Sequence, residues 1–371
     1  MIERILETTI KKKLYGGKAI VLVGARQVGK TTLIKKLLNG SEYLFLDADD
    51  PTVRILLTNP NTEQIRTIIA DNKIVFIDEA QRIPGIGLTL KIITDQFKHI
   101  QLIVTGSSSF DLGNELNEPL TGRKWGYELF PVSWEEYEMS IGFLKSEQQL
   151  ENRLLYGFYP EVINNQGNER ETLKNLVNSY LYRDILAFSG IRKPEVLDKL
   201  LQALALQMGN EVNYNELAQT VGINKITVQN YIEILEKGYI IFRLNSFSRN
   251  LRNEIKKNRK IYFYDNGIRN MITGNFNPLE LRIDKGALWE NFLVSERLKQ
   301  HIYKETFSKM YFWRTKQQQE IDLVEEKDGV ITAYELKWDN KKVNFSRSFT
   351  ETYNSKGILI NRNNFRGFVK I

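Results

Sequence analysis

The segment from Gly24 to Thr31 constrains the fold of this chain more than any other feature of its sequence. It reads Gly-Ala-Arg-Gln-Val-Gly-Lys-Thr and fits the pattern G-x-x-x-x-G-K-[ST] at every fixed position. A short apolar run, residues 19–23, precedes it, and residues 32–38 carry apolar side chains at helical spacing. A strand, a glycine-bearing loop and a helix in this order predict a phosphate-binding loop in an α/β fold.

The residues of this loop have distinct expected roles. Gly24 and Gly29 let backbone N–H groups point at phosphate oxygens, and the helix that follows adds its positive end. Lys30 is expected to reach the β- and γ-phosphates of ATP, and the Thr31 hydroxyl to hold Mg²⁺. With two residues discussed next, the predicted nucleotide-binding set is Gly24, Ala25, Arg26, Gln27, Val28, Gly29, Lys30, Thr31, Thr32, Asp78 and Ser107.

An acidic pair follows the apolar run at residues 74–77. Asp78, at the end of the predicted strand, can hold the magnesium through water. Glu79 can polarise the water that attacks the γ-phosphate. Strands often end in acids, but this pair combined with the phosphate-binding loop predicts ATP hydrolysis.

Two other polar residues have two interpretations each. The strand at residues 101–104 leads to Ser107, which either senses the γ-phosphate or caps the next helix. Arg123 is either an arginine finger, in cis or from a neighbour, or a surface arginine. The alternation of strands and helices predicts a parallel, doubly wound sheet, with the nucleotide at the carboxyl ends of its strands.

Taken together, these motifs resemble a family of prokaryotic AAA-type, or archaeal-type, ATPases that carry a fused C-terminal domain of unknown function. The resemblance rests on residues 24–33, 77–84, 104–109, 120–123 and 130–136. It also covers residues 180–185 and most of the chain beyond. It implies an ATP-driven engine with Mg²⁺ as cofactor and leaves the cellular task undefined.

The middle of the chain is predicted to be helical from about residue 143 to residue 191, with a turn at residues 157–160. This region resembles the helical lid that follows AAA cores. Arg183, within it, is either a second nucleotide sensor or one half of an ion pair on the helix surface.

Residues 213–235 predict a helix-turn-helix, with a tight turn at Gly222 and Asn224 as the cap of the second helix. Residues 238–244 begin a wing-like hairpin. The two interpretations are contact with double-stranded DNA and a packing module. The side chains expected to face outward are Lys225, Thr227, Gln229 and Asn230, and the basic residues that follow are Arg249, Arg252, Lys256, Lys257, Arg259 and Lys260.

A second hairpin is predicted near the C-terminus, because Asp328-Gly329 is a strong two-residue turn signal. That turn places Asp322 opposite Glu335, and Glu320 opposite Lys337. Directly opposed carboxylates have Cβ atoms roughly 5 Å apart and repel each other. A divalent cation would offset this repulsion, and Lys337 would do so in part.

The spacing of these acids and the lysine resembles the PD-(D/E)XK nuclease-like fold, whose preceding helical acid would be Glu290. The resemblance implies that Glu290, Asp322 and Glu335 hold Mg²⁺, and that Lys337 stabilises the charge that develops during phosphodiester cleavage. Two alternatives are a degenerate member of the fold and simple charge pairing across the hairpin.

The predicted architecture is therefore α/β: a P-loop NTPase parallel sheet, a helical lid, a winged helix and a restriction-endonuclease-like domain. The predicted boundaries are 1–141, 142–194, 195–260 and 261–371. The net charge of +7 favours an anionic partner. The lack of cysteine suits a reducing compartment, and no apolar run is long enough to cross a membrane, so a cytoplasmic location is expected.

Two functional classes fit this sequence. One is an ATPase coupled to DNA binding or processing. The other is a nucleotide-controlled switch that binds a protein partner or self-associates, with a degenerate nuclease-like domain. The two histidines, His99 and His301, stand alone in the sequence and are expected at the surface.

Overall fold

The computed structural model describes residues 2–107, 119–178, 193–248, 259–315, 317–339 and 345–370. The chain forms two compact units, Met1–Pro131 with Lys237–Tyr239 and Val132–Glu236 with Ile240–Ile371. Arg183 and residues 249–258 of the basic stretch lie outside the described residues. Among the helices of the described ranges, none combines the length and apolarity that a membrane span requires.

The first unit is built on a parallel five-stranded sheet with strand order β2-β3-β4-β1-β5. The α/β class and the parallel sheet are thus confirmed, and β5 is a further strand that was not predicted. The strands are β1 (Ala19–Gly24), β2 (Leu44–Asp47), β3 (Ile74–Asp78), β4 (Gln101–Gly106) and β5 (Lys124–Leu129). The helices are α1 (Ile5–Lys11), α2 (Lys30–Leu37), α3 (Pro51–Leu57), α4 (Thr62–Ile69) and α5 (Ile86–Gln96).

The central strands of this sheet are almost entirely buried, which is why they read as continuous apolar runs. One core cluster includes Val21, Val75, Ile77 and Leu90. Because β4 lies between β1 and β3, the carboxyl ends of these three strands stand side by side. This edge of the sheet carries the residues of the predicted nucleotide site.

The second unit combines helices with a mixed sheet. The predicted turn after residue 156 is present, because Gly157 adopts a left-handed backbone conformation with φ 73°. The described helices of this unit are α6 (Trp134–Ile141), α7 (Phe143–Tyr156), α8 (Pro160–Asn164), α9 (Glu169–Val177), α10 (Pro194–Leu206), α11 (Tyr214–Val221), α12 (Lys225–Lys237), α13 (Asn266–Thr273), α14 (Lys285–Tyr303), α15 (Arg347–Tyr353) and α16 (Phe365–Val369).

The sheet of the second unit has seven strands in the order β12-β11-β10-β9-β7-β8-β6. Its strands are β6 (Glu211–Val212), β7 (Ile241–Ser246), β8 (Arg259–Phe263), β9 (Lys309–Arg314), β10 (Glu320–Lys327), β11 (Val330–Leu336) and β12 (Lys356–Ile360). The boundary predicted after residue 260 falls inside β8. Because β7 pairs with β9, the third and fourth predicted segments share this sheet. The pattern of a single strand does not reveal a partner so distant in sequence.

Helices α11 and α12 form the expected pair around a tight turn. Gly222 ends α11 with φ 77°, and the Asn224 side chain accepts hydrogen bonds from the Thr227 N–H at 2.8 Å and from its hydroxyl at 3.0 Å. On α12, Lys225 and Asn230 are exposed. After α12, where a wing-like hairpin was predicted, the structure has β7 and β8, which pair in antiparallel fashion.

We expect Gly24→Ala to destabilise the first unit and to abolish nucleotide binding. Gly24 has φ 152°, and a Cβ atom added there would lie 2.1 Å from the Leu129 carbonyl oxygen of the neighbouring strand. Backbone atoms cannot move aside without breaking the pairing of β1 and β5. Thermal denaturation and binding of a fluorescent nucleotide would measure both effects.

Gly126→Ala is the matched control, because Gly126 lies on β5 and an added Cβ atom there meets nothing within 4 Å. It should unfold at the wild-type temperature and bind nucleotide normally. Equal behaviour of the two variants would contradict the close approach of β1 to β5 at Gly24.

Candidate functional site

The phosphate-binding loop joins β1 to α2 and is held by its own lysine. Gly29 and Gln27 adopt left-handed conformations with φ 96° and 61°. The buried Lys30 Nζ donates hydrogen bonds to the carbonyl oxygens of Gly24 at 3.0 Å and Ala25 at 2.8 Å. The ammonium thus lies within the loop, where phosphate oxygens are expected.

The buried carboxylate of Asp78, at the end of β3, contacts both the start of α2 and the neighbouring strand β4. Asp78 accepts a hydrogen bond from the Thr31 hydroxyl at 2.7 Å, from the Thr105 hydroxyl, and from the Glu79 N–H at 3.2 Å. Only 5% of Asp78 is exposed. Because β4 stands between β1 and β3, Thr105 reaches Asp78 from the strand next to it.

Glu79 directly follows Asp78 and is held by a glutamine. Its backbone is left-handed with φ 50°, which is uncommon for a residue with a side chain. The Gln81 Nε2 atom donates to Glu79 Oε2 at 2.5 Å and to Ser107 Oγ at 2.7 Å, and Gln81 Oε1 accepts from the Ser107 N–H at 3.2 Å. The predicted catalytic base and the predicted γ-phosphate sensor therefore share one partner.

These residues fit a magnesium-bound nucleotide. Thr31 and Asp78 bring a hydroxyl and a carboxylate oxygen within 2.7 Å of each other, and oxygen ligands of this kind suit Mg²⁺. Thr31 and Asp78 would hold the ion, and Lys30 with the loop N–H groups would hold the phosphates. When bound, the ion neutralises phosphate charge.

Arg123 is not part of this group of residues. It directly precedes β5, whose first residue, Lys124, is paired with Ala19 at the start of β1. Arg123 therefore lies at the amino edge of the sheet, opposite the phosphate-binding loop. Its Nε donates to Asp95 Oδ1 at 2.6 Å. An arginine finger in cis is inconsistent with this position, because a strand of six residues separates Arg123 from the loop.

Arg4 supports the loop from the N-terminal segment, and no sequence signal pointed to it. Arg4 is 8% exposed, and its guanidinium donates to the carbonyl oxygen of Val28 at 2.8 Å and to that of Phe130 at 2.6 Å. The first contact turns a loop carbonyl toward Arg4. Arg4 thereby joins the loop to the end of β5.

The C-terminal hairpin has the predicted register. Leu323 pairs with Tyr334, so Asp322 and Glu335 are the next positions along the two strands. Asp328 and Gly329 form the turn with φ 51° and 79°, as a type I′ turn requires. The pairing of β10 with β9 shifts between Ile321 and Val324. Such an irregularity re-aims side chains next to it.

Lys337 lies between the two opposed carboxylates. Its Nζ is 2.7 Å from Asp322 Oδ2 and 2.9 Å from Glu335 Oε2. Asp322 also accepts the Leu336 N–H at 2.8 Å. Burial and the neighbouring Asp322 charge raise the pKa of Glu335 to about 7. Lys337 therefore contacts both of the carboxylates whose repulsion it was expected to offset in part.

A second lysine, Lys260, neutralises Glu290 and Glu320, which complete an acidic cluster with Asp322 and Glu335. Lys260 Nζ lies 3.1 Å from Glu290 Oε1 and 2.6 Å from Glu320 Oε1, and its side chain is 1% exposed. The Tyr262 hydroxyl donates to Glu290 at 2.6 Å. Burial alone would lower the pKa of Lys260, but the charges of Glu290 and Glu320 raise it. Lys260, expected to contact DNA, is instead buried in this acidic cluster.

The predicted metal ligands of the second unit do not form a metal site in the described ranges. No group of three or more His, Asp or Glu side chains there is arranged to hold an ion. Glu290 faces Lys260, whereas Asp322 and Glu335 face Lys337. Two ammonium groups thus balance the charge that a cation was expected to balance, and the arrangement does not fit a divalent metal.

No sequence pattern pointed to Arg4, Gln81, Thr105 or Tyr262, and none predicted that Lys260 and Glu320 form an ion pair. Gln81 is part of the run at residues 77–84, so its position beside the acidic pair was the available signal. His301, expected at the surface, is 8% exposed, and its Nε2 lies 2.9 Å from Glu325 Oε1.

Comparison with known families divides the chain into three matched segments. Residues 16–138 match an AAA domain. Residues 147–279 and 285–367 match two domains of unknown function, DUF8612 and DUF4143.

Similar proteins occur in bacteria and archaea. An uncharacterised protein of Mycobacterium tuberculosis is 27% identical over 335 residues, which is 88% of this chain and 72% of that protein. An uncharacterised protein of Methanocaldococcus jannaschii is 25% identical over 365 residues, or 91% of this chain and 80% of that one.

A solved structure supports the fold. The Walker-type ATPase of Pyrococcus abyssi superposes with a TM-score of 0.52 at 17% identity, covering 73% of this chain and 96% of that one. The AAA match and the strand order agree with the geometry at the phosphate-binding loop. The first unit is therefore a P-loop ATPase domain that binds ATP.

Proposed function

We propose that this protein hydrolyses Mg-ATP, with Glu79 as the residue that activates the attacking water. The observation that carries the proposal is the convergence of Thr31, Asp78 and Glu79 at the carboxyl edge of the sheet. In this assignment Lys30 binds the phosphates, while Thr31 and Asp78 hold the magnesium ion. Glu79 takes a proton from water as the oxygen approaches the γ-phosphorus.

Two substitutions separate binding from hydrolysis. Lys30→Ala should weaken ATP binding by at least about tenfold, because it removes the charge that faces the phosphates. Glu79→Gln should bind ATP with near wild-type affinity and hydrolyse it about 100-fold or more slowly, because an amide is a poor base. Fluorescent-nucleotide titration and a phosphate-release assay would measure these effects.

Glu63→Gln is the control for the second substitution. Glu63 lies on α4 with 79% of its side chain exposed, so the same chemical change there should leave turnover unaltered. Wild-type turnover by Glu79→Gln would refute the role of Glu79.

We further propose that ATP hydrolysis is coupled to the binding of double-stranded DNA by α11 and α12. The exposed Lys225 and Asn230 stand near the start of α12, the end that reads the major groove in helix-turn-helix proteins. The net charge of +7 supports attraction to phosphate. Arg123 can act as an arginine finger only on the nucleotide of a neighbouring copy, because within its own chain it lies at the opposite edge of the sheet.

Duplex DNA should raise the ATPase rate, and the effect should fade as salt increases. The double substitution Lys225→Ala with Asn230→Ala should weaken DNA binding, measured by fluorescence anisotropy, and reduce the stimulation. Lys199→Ala, an exposed lysine of α10, is the control and should bind DNA like the wild type. An ATPase rate independent of DNA at low salt would contradict the coupling.

A second candidate function is a nucleotide-controlled switch that binds a protein partner. The observation that favours it is the position of Lys260, whose ammonium contacts Glu290 and Glu320 inside the acidic cluster. A cluster neutralised in this way acts as part of the scaffold and does not cleave DNA.

The two candidate functions predict different binding of Mn²⁺ by the acidic cluster. In an Asp78→Asn background without nucleotide, the switch hypothesis expects no bound Mn²⁺ by electron paramagnetic resonance. Adding Lys260→Met should create a Mn²⁺ site whose occupation raises the melting temperature, because the carboxylates lose their internal cation. Mn²⁺ binding without Lys260→Met, abolished by Asp322→Asn, would instead favour DNA processing.

A further inference from the structure

Gln81 lies between Glu79 and Ser107 beside the nucleotide site, and it has no role in the proposed mechanism. It lies in a short 3₁₀ helix, Ala80–Arg82, directly after Glu79. Gln81 is 8% exposed, and its side chain makes three hydrogen bonds, one to Glu79 and two to Ser107. The Ser107 contacts span two strands, since Ser107 follows β4 whereas Gln81 follows β3.

The network allows only one orientation of the Gln81 amide. The opposite orientation would bring Oε1 against the Glu79 carboxylate, and two acceptors cannot share a hydrogen bond. With Nε2 facing Glu79, both amide hydrogens are used, one for Glu79 and one for the Ser107 hydroxyl. The remaining oxygen accepts the Ser107 N–H. All the hydrogen-bonding groups of this amide nitrogen are thereby satisfied.

This orientation has consequences for both partners. Because the Ser107 oxygen already accepts from Gln81, its own hydroxyl hydrogen, which has no acceptor among the residues that the structure describes, can be donated to a phosphate oxygen. Because Gln81 holds Oε2 of Glu79, the other carboxylate oxygen can face the water. The left-handed backbone at Glu79 is an uncommon conformation that the surrounding contacts must maintain.

We propose that Gln81 is a positioning residue that joins Ser107 and Glu79 into one hydrogen-bonded unit. Contact of Ser107 with the γ-phosphate and orientation of the Glu79 carboxylate toward water then occur together. Gln81 itself touches neither the phosphate nor the water. The inference rests on the proposed hydrolysis of ATP and adds the way in which γ-phosphate recognition is linked to the base.

The test is Gln81→Met, which keeps the side-chain length and removes all three hydrogen bonds. We expect kcat to fall about ten- to 100-fold, the size expected for losing hydrogen bonds to a charged group. Affinity for a non-hydrolysable ATP analogue should stay within about threefold, because Lys30 and the loop N–H groups remain in place. Phosphate release, analogue titration and thermal denaturation would be measured on the full chain.

A double-mutant cycle separates positioning from general support of the fold. In a Glu79→Gln background, Gln81→Met should cause little further loss of kcat, because the group that Gln81 orients is already absent. A purely structural residue would lower kcat equally in both backgrounds and would weaken analogue binding. That pattern would overturn the inference.

Two more variants complete the comparison. Gln81→Glu keeps the acceptor for the Ser107 N–H but presents a second carboxylate to Glu79, so its kcat should fall at least as far as that of Gln81→Met. Gln96→Met makes the same change as the test variant at an exposed position on α5 and should behave like the wild type.

The result that would refute this role of Gln81 differs from the result that would refute the proposed hydrolysis of ATP. A wild-type chain that binds ATP but never releases phosphate would refute hydrolysis, and the role of Gln81 with it. A wild-type chain that turns over ATP, together with an unchanged kcat in Gln81→Met, would overturn the role of Gln81 alone.

Discussion

The nucleotide site depends on one buried carboxylate, that of Asp78. A buried charge is costly unless polar groups surround it, and Asp78 obtains hydrogen bonds from Thr31, Thr105 and the Glu79 N–H. These donors come from the start of α2, the end of β4 and the residue that follows β3. The same contacts that stabilise the carboxylate therefore hold together the start of α2 and the ends of β3 and β4.

In the second unit, the charge of the buried carboxylates is balanced in a different way. Its buried acids are balanced by ammonium groups, with Lys260 beside Glu290 and Lys337 between Asp322 and Glu335. Direct ion pairs leave little for a metal to replace, whereas hydroxyl donors such as Thr31 are themselves suited to bind Mg²⁺. The contrast explains why the first unit fits a nucleotide-bound ion and the cluster in the second does not.

The local parts of both sites could be predicted from the sequence. The phosphate-binding loop, the Asp78–Glu79 pair and the hairpin register at Asp322 depend on short-range patterns, and each has the predicted position. Contacts between distant segments could not be predicted in this way. Arg4 reaches the loop 24 residues along the chain, and Lys260 meets Glu290 30 residues away. Nothing in the pattern near Arg4 or Lys260 marks the partner.

The sequence by itself determined the class of fold, the phosphate-binding loop and the position of Asp78 and Glu79 at the end of a strand, because backbone conformation and strand ends follow from local chemistry. Only the tertiary structure decided which polar groups meet. It separated Arg123 from the loop, brought Gln81 between Glu79 and Ser107, and buried Lys260 among acids. These contacts depend on the order of the strands in each sheet, and that order depends on packing across the whole unit.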